Sequence, residues 1–155
     1  MLFRSDTEQL PPERRLAALA LLRRRILGEC ADPVDFRPFL ASQSNPSERA
    51  LLERIEEGLG LLKCLDAEDL AVTREVLSII TSGQALDLER FGDAARANVK
   101  SLETDADLDD YTYRVAGCVG EFWTRICRRR LYPNASVDQA RLLELRSEEH
   151  TSELQ

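Results

Sequence analysis

Four carboxylates, Asp105, Asp107, Asp109 and Asp110, crowd the start of a run that reads as a helix from Asp107 to Arg130. Carboxylate oxygens are the hard ligands that magnesium takes, and Asp105 and Asp109 have the four-residue spacing that places two side chains on one helical face. Their position favours a different role. Acids at a helix start accept hydrogen bonds from its free N–H groups and sit at the positive end of its dipole, so the cluster is read as capping and no metal ligand is assigned. Arg128, Arg129 and Arg130 end the same run. They could grip an anionic group, but the helix dipole alone favours cations there. Asp87 and Glu75 are isolated acids, read as solvated.

The run itself must position whatever chemistry it carries. Leu108, Tyr111, Val115, Cys118 or Val119, Phe122 and Ile126 recur at spacings of three and four, which predicts one helix with one apolar face. Gly117 and Gly120 interrupt it, each at a cost of about 1 kcal/mol relative to alanine. A residue without a side chain lets another helix, or a bulky ligand, approach the backbone. Tight helix packing by Ala116, Gly117 and Gly120 and close approach of a ligand are both compatible with the pattern.

The pattern Tyr-x-x-x-Val-Ala-Gly-x-Val-Gly, formed by Tyr111, Val115, Ala116, Gly117, Val119 and Gly120, resembles the central segment of the squalene/phytoene synthase family. The flanking Asp107-Leu108-Asp109-Asp110 and Glu121-Phe122-Trp123-Thr124 are similar to bacterial squalene-synthase-like members. The resemblance implies an all-α, antiparallel helical part of an isoprenoid-synthase-type domain that joins two prenyl diphosphates head to head through a cyclopropyl intermediate, with farnesyl diphosphate favoured. It makes Tyr111 the candidate catalytic residue, whose phenol can donate to departing diphosphate and whose ring can stabilise a cation. Val115, Ala116, Gly117 and Gly120 are the expected lining of the prenyl channel, joined by Gly83 and Gln84 from the preceding long helix.

Family members hold magnesium on two aspartate-rich helices, and reduction to squalene uses NADPH. Neither aspartate-rich motif is found in this sequence, so residues 1–145 are read as the middle of a larger domain, inactive alone. Residues 146–155, RSEEHTSELQ, resemble the in-frame translation of a sequencing-library adapter and are set aside as a non-native tail. That tail holds the only histidine, His150, and removing its one arginine and three glutamates takes the formal charge from −7 to −5. An acidic chain without a concentrated basic face argues against nucleic acid as a partner.

The remaining elements follow from caps and periodicity. Pro11 and Pro12 open a helix through Leu27 with Leu16, Leu19, Ala20, Arg23 and Ile26 on one stripe and Gly28 as its left-handed end. Asp32 and Pro33 are expected to start a short helix, and Asn45-Pro46-Ser47-Glu48 a longer one with Leu51, Leu52, Ile55, Leu59 and Leu62 inside. Asp66 starts a helix rich in Leu, Val and Ile, with a bend expected near Gly83. Ser136 and Gln139 form a capping box for a last helix, giving about six in all.

Composition agrees with that architecture: 43% hydrophobic but only 6% aromatic residues suit a helical core built on Leu and Ala. The four cysteines form no CxxC pair, which argues against a zinc site or disulfide framework and for a reducing compartment. Without an apolar run of about 18 residues or a signal-type N-terminus, a cytoplasmic protein is expected, with peripheral membrane association left open for the larger domain. A non-catalytic helical interaction module is the alternative, its small-residue helix serving only as a packing surface.

Overall fold

Paired prolines start helix α1 (Pro12–Leu27), where a missing N–H leaves no hydrogen bond unmade, and Gly28 ends it at φ 79°. The Gly28 and Glu29 N–H groups return to the carbonyls of Arg25 and Arg24 at 3.1 and 2.9 Å, closing the last turn. Leu19, Leu22 and Ile26 are buried, together with Arg15. Ala20 and Arg23, expected on the same stripe, are exposed, because the buried face runs through positions 15, 19, 22 and 26. Gly28→Ala is expected to cost about 1–2 kcal/mol, the penalty of a left-handed conformation for a residue with a Cβ. A urea denaturation midpoint equal to that of the parent chain would contradict this.

The computed structural model describes residues 11–41, 43–91 and 101–134 together with Asp138 and Arg141, and all regular secondary structure among them is helical. The capping box of Ser136 and Gln139 and the 146–155 tail lie outside the described residues.

The expected helix at Pro33 does not form. The Val34 N–H instead donates to Glu56 at 2.8 Å, and the chain stays irregular until Asp35 accepts from the Arg37 N–H and starts the one-turn helix α2 (Arg37–Leu40). This arm places Val34, Phe36 and Phe39 in the core, the two rings edge to face at 5.6 Å. Asn45 caps α3 (Pro46–Glu53) by accepting from the N–H groups of Ser47 and Glu48. A break at Arg54 separates α3 from α4 (Ile55–Leu61), which a short 3-10 turn follows. Of the expected stripe Leu52 is buried, Ile55 and Leu59 pack against the core and Leu51 is exposed.

Helix α5 (Ala67–Phe91) is the spine, and its Asp66 cap accepts from Glu68 and Asp69. It continues unbroken through Gly83, where a bend or break was expected. One glycine costs a helix about 1 kcal/mol, which tertiary packing on both sides of this turn outweighs. The hydroxyls of Thr81 and Ser82 bond back to the carbonyls of Leu77 and Ile79 within the helix. Antiparallel to α5 on one side lies α1, with Arg23 on Ser78 and Arg74 on the Ile26 carbonyl. On the other side α6 (Asp105–Thr112), a π-helical turn (Tyr113–Gly117) and α7 (Cys118–Leu131) form one rod, also antiparallel to α5. The core consists of Leu19, Leu22, Ile26, Val34, Phe36, Phe39, Leu52 and Leu88.

The far ends of α5 and α7 are tied by charge. Arg129 and Arg130 each pair with both Asp66 and Asp69, Arg129 also reaches Glu68 at 2.6 Å, and the Asp69 side chain is 10% exposed. Two arginines of the triplet at the helix end, Arg129 and Arg130, are therefore engaged with the start of α5. The Arg129 hydrogen bond, reinforced by the Asp69 N–H, holds the Asp66 carboxyl well below the usual carboxylate range. Arg37 likewise lowers Asp35 to about 2. Groups with depressed folded pKa values stabilise the fold fully above their unfolded pKa of about 4 and lose that contribution as pH falls through the folded value. The urea midpoint is accordingly expected to hold between pH 7 and 5 and fall below about pH 4, with a shallower fall in high salt. A midpoint unchanged down to pH 2 would remove these pairs from the account.

Candidate functional site

The contact of α5 with the π-helical turn that follows α6 is built on Gly83. It is buried, and a Cβ added there would lie 2.8 Å from the Arg114 Cβ, closer than side chains pack. Around it runs a polar seam. The Arg114 guanidinium donates to both Asp110 oxygens at 2.9 Å and to the Ser82 hydroxyl at 2.8 Å. The Tyr111 hydroxyl donates to Asp87 Oδ1 at 3.3 Å, and Arg90 donates to Asp107 at 2.9 Å. The acids that seemed isolated have partners: Asp87 holds the phenol, and Glu75 pairs with Arg125 at 2.6 Å.

The capping expected of the four acids ahead of Tyr111 falls to Thr104. Thr104 is the cap, its hydroxyl oxygen accepting from the Asp107 N–H at 3.1 Å while its O–H donates to the Asp107 carboxylate at 2.7 Å. That is a capping box with Asp in the place of Glu, legible as Thr104-x-x-Asp107. Asp110 serves Arg114.

The π-helical turn changes the expected apolar stripe. Its wider turn rotates the residues that follow, so the stripe does not stay on one face. Leu108 and Val115 are 45% and 44% exposed, whereas Cys118 is 2% exposed against α5. Val115 and Ala116 thus lie on an open face with Trp123. Tyr111 is half-buried at the seam, Gly83 is buried within it, and Gln84 is half-buried on α5. Gly120 is buried in α7, and its carbonyl accepts from Thr124. A Cβ at Gly117 would meet the Tyr113 ring at 3.1 Å, so the room this glycine makes is taken by its own helix.

A cavity of about 380 Å³ between α1, α5 and α6 has an apolar wall that includes Leu16, Ala20 and Leu86 and a polar one that includes Arg23, Ser82 and Arg114. Sequence reasoning missed it, although Arg23 within an apolar stripe was its signal. None of the expected channel residues lines it. Among the described residues no three His, Cys, Asp or Glu side chains converge on a metal position, and Asp66, Asp69, Asp107 and Asp110 each face arginine. These arginine-paired donors do not fit magnesium.

Antiparallel helices meeting at a polar seam beside an apolar face define an all-α domain of the isoprenoid-synthase type. A family model described as squalene/phytoene synthase matches residues 4–148, and the chain belongs to the squalene/phytoene synthase family. Its members act on prenyl diphosphates and join them head to head. No curated protein and no solved structure matches the chain.

Proposed function

We propose that this chain supplies the central helix pair of a prenyltransferase that condenses two farnesyl diphosphates toward squalene or a related isoprenoid. The observation that carries the reading is the seating of the Tyr111 hydroxyl on Asp87 at the edge of the open face that bears Val115 and Ala116. A phenol oriented by a carboxylate, next to apolar surface, suits a step in which an allylic diphosphate leaves and a cation forms. The Tyr111 O–H, held by Asp87 at rest, turns to donate to the leaving group, or the ring faces the cation, and Val115 and Ala116 contact the prenyl chain. Gly83 acts indirectly, by letting the π-helical turn close on α5. Magnesium, and NADPH for a squalene product, belong to this reading as family expectations.

Asp66, Asp69, Asp107 and Asp110 are engaged with arginines, which supports the further reading that the 155-residue chain is inactive by itself. Sequencing the gene outward on both sides tests the proposal. Helices with carboxylates four residues apart are expected upstream and downstream of this segment, in a cytoplasmic protein. Unrelated domains on either side would instead favour a non-catalytic interaction module, for which the open apolar face would be the contact surface.

A further inference from the structure

At the opposite end of the α1–α5 pair, more than two helical turns along α5 from Ser82, Arg25, Lys63 and Arg74 line a second pocket of about 210 Å³. That is far above the roughly 10–15 Å³ a single water needs. Glu56 is the one carboxylate among its lining residues, giving a local formal charge of +2 in a chain of −7. Both Glu56 oxygens are engaged, one with the Val34 N–H at 2.8 Å and the other with Arg25.

Arg25 is partly engaged, on Glu56 and on the Cys30 carbonyl at 3.5 Å, whereas Arg74 and Lys63 have donors to spare. Arg74 uses only Nε, which donates to the Ile26 carbonyl at 2.9 Å. That bond offsets part of the negative carbonyl end of α1, and among the described residues Nη1 and Nη2 have no hydrogen-bond acceptor. The same bond, from Nε to the Ile26 carbonyl, positions the Arg74 guanidinium. Arg25 keeps a buried Nε without an acceptor, and among the described residues the exposed Lys63 has no hydrogen-bond partner, only a charge interaction with Glu56. A guanidinium held in position with unused parallel donors is suited to oxyanions, since little freedom is lost on binding.

We propose that this pocket binds a small oxyanion of the phosphate class, either free or as a lipid headgroup, independently of the prenyl-transfer reading. The experiment is an NMR titration of the 155-residue chain with inorganic phosphate at constant ionic strength, with chloride as the control. Saturating shifts at Gly28, Cys30 and Lys63 in the millimolar range are expected. Lys63→Gln, on an exposed side chain, should weaken binding several-fold, and Lys63→Gln with Arg74→Gln about tenfold or more, as expected from losing charge-assisted hydrogen bonds. Binding to phosphatidic acid vesicles that phosphate displaces would assign the headgroup as source, and saturation by phosphate without vesicle binding would assign the free anion. Shifts no different from those with chloride, or an affinity unchanged in Lys63→Gln, would overturn the proposal.

Discussion

Replacing Gly83 by valine is expected to destabilise the chain by about 1–3 kcal/mol, the range for overpacking a filled contact. The new Cβ would stand 2.8 Å from the Arg114 Cβ, an atom fixed to the backbone of the π-helical turn, so relief requires that turn and α5 to separate. Separation would loosen Arg114 from Ser82 and Tyr111 from Asp87 together, because both bonds cross the same seam. Helix propensity works the other way, since glycine is the poorer helix former by up to about 1 kcal/mol, and this makes the sign informative. Gly58 is the control: a Cβ there meets nothing within 4 Å, so Gly58→Ala should stabilise α4 by about 0.5–1 kcal/mol. Urea denaturation of both variants reads the contrast. If both substitutions stabilise, the close approach at Gly83 is wrong.

Tyr111→Phe, made in the protein with its flanking sequence restored, is expected to lower kcat about 100-fold or more, within the range attributed to a positioned proton donor. KM should change little, because the ring and its apolar contacts remain. Stability should fall by no more than about 0.5–1.5 kcal/mol, the net worth of one hydrogen bond. Asp87→Asn keeps an acceptor for the phenol while removing its charge, and a smaller loss of rate is expected. Full activity in Tyr111→Phe would return Tyr111 to the role of a core aromatic whose hydroxyl only ties α6 to α5.

Local chemistry was legible in the sequence where one or two residues decide the outcome. Gly28 ending α1, Asn45 capping α3 and Asp66 capping α5 all stand where their side-chain chemistry put them. The sequence misled where a distant partner decides. Gly83 looked like a bend because the helix it must admit lies about 30 residues further on, and only that contact explains the glycine. Asp32-Pro33 looked like a helix start because Glu56, which takes the Val34 N–H, is remote in sequence. The apolar stripe of the central helix was extrapolated at a constant period, and the π-helical turn at Tyr113–Gly117 breaks that period within the Val115-Ala116-Gly117 motif itself. Of the candidate site, the pattern around Tyr111 was readable, but Asp87, Ser82 and Arg114 were not, since nothing local marks which turn of α5 faces α6.

The most direct test of the central claim is release of inorganic diphosphate from farnesyl diphosphate with magnesium present, measured for the protein with its flanking sequence restored and for the 155-residue chain alone. Release by the extended protein, with a head-to-head product and slower turnover of geranylgeranyl diphosphate, is the predicted result, and the 155-residue chain should release none. An extended protein that stays folded yet leaves both substrates intact would contradict the account.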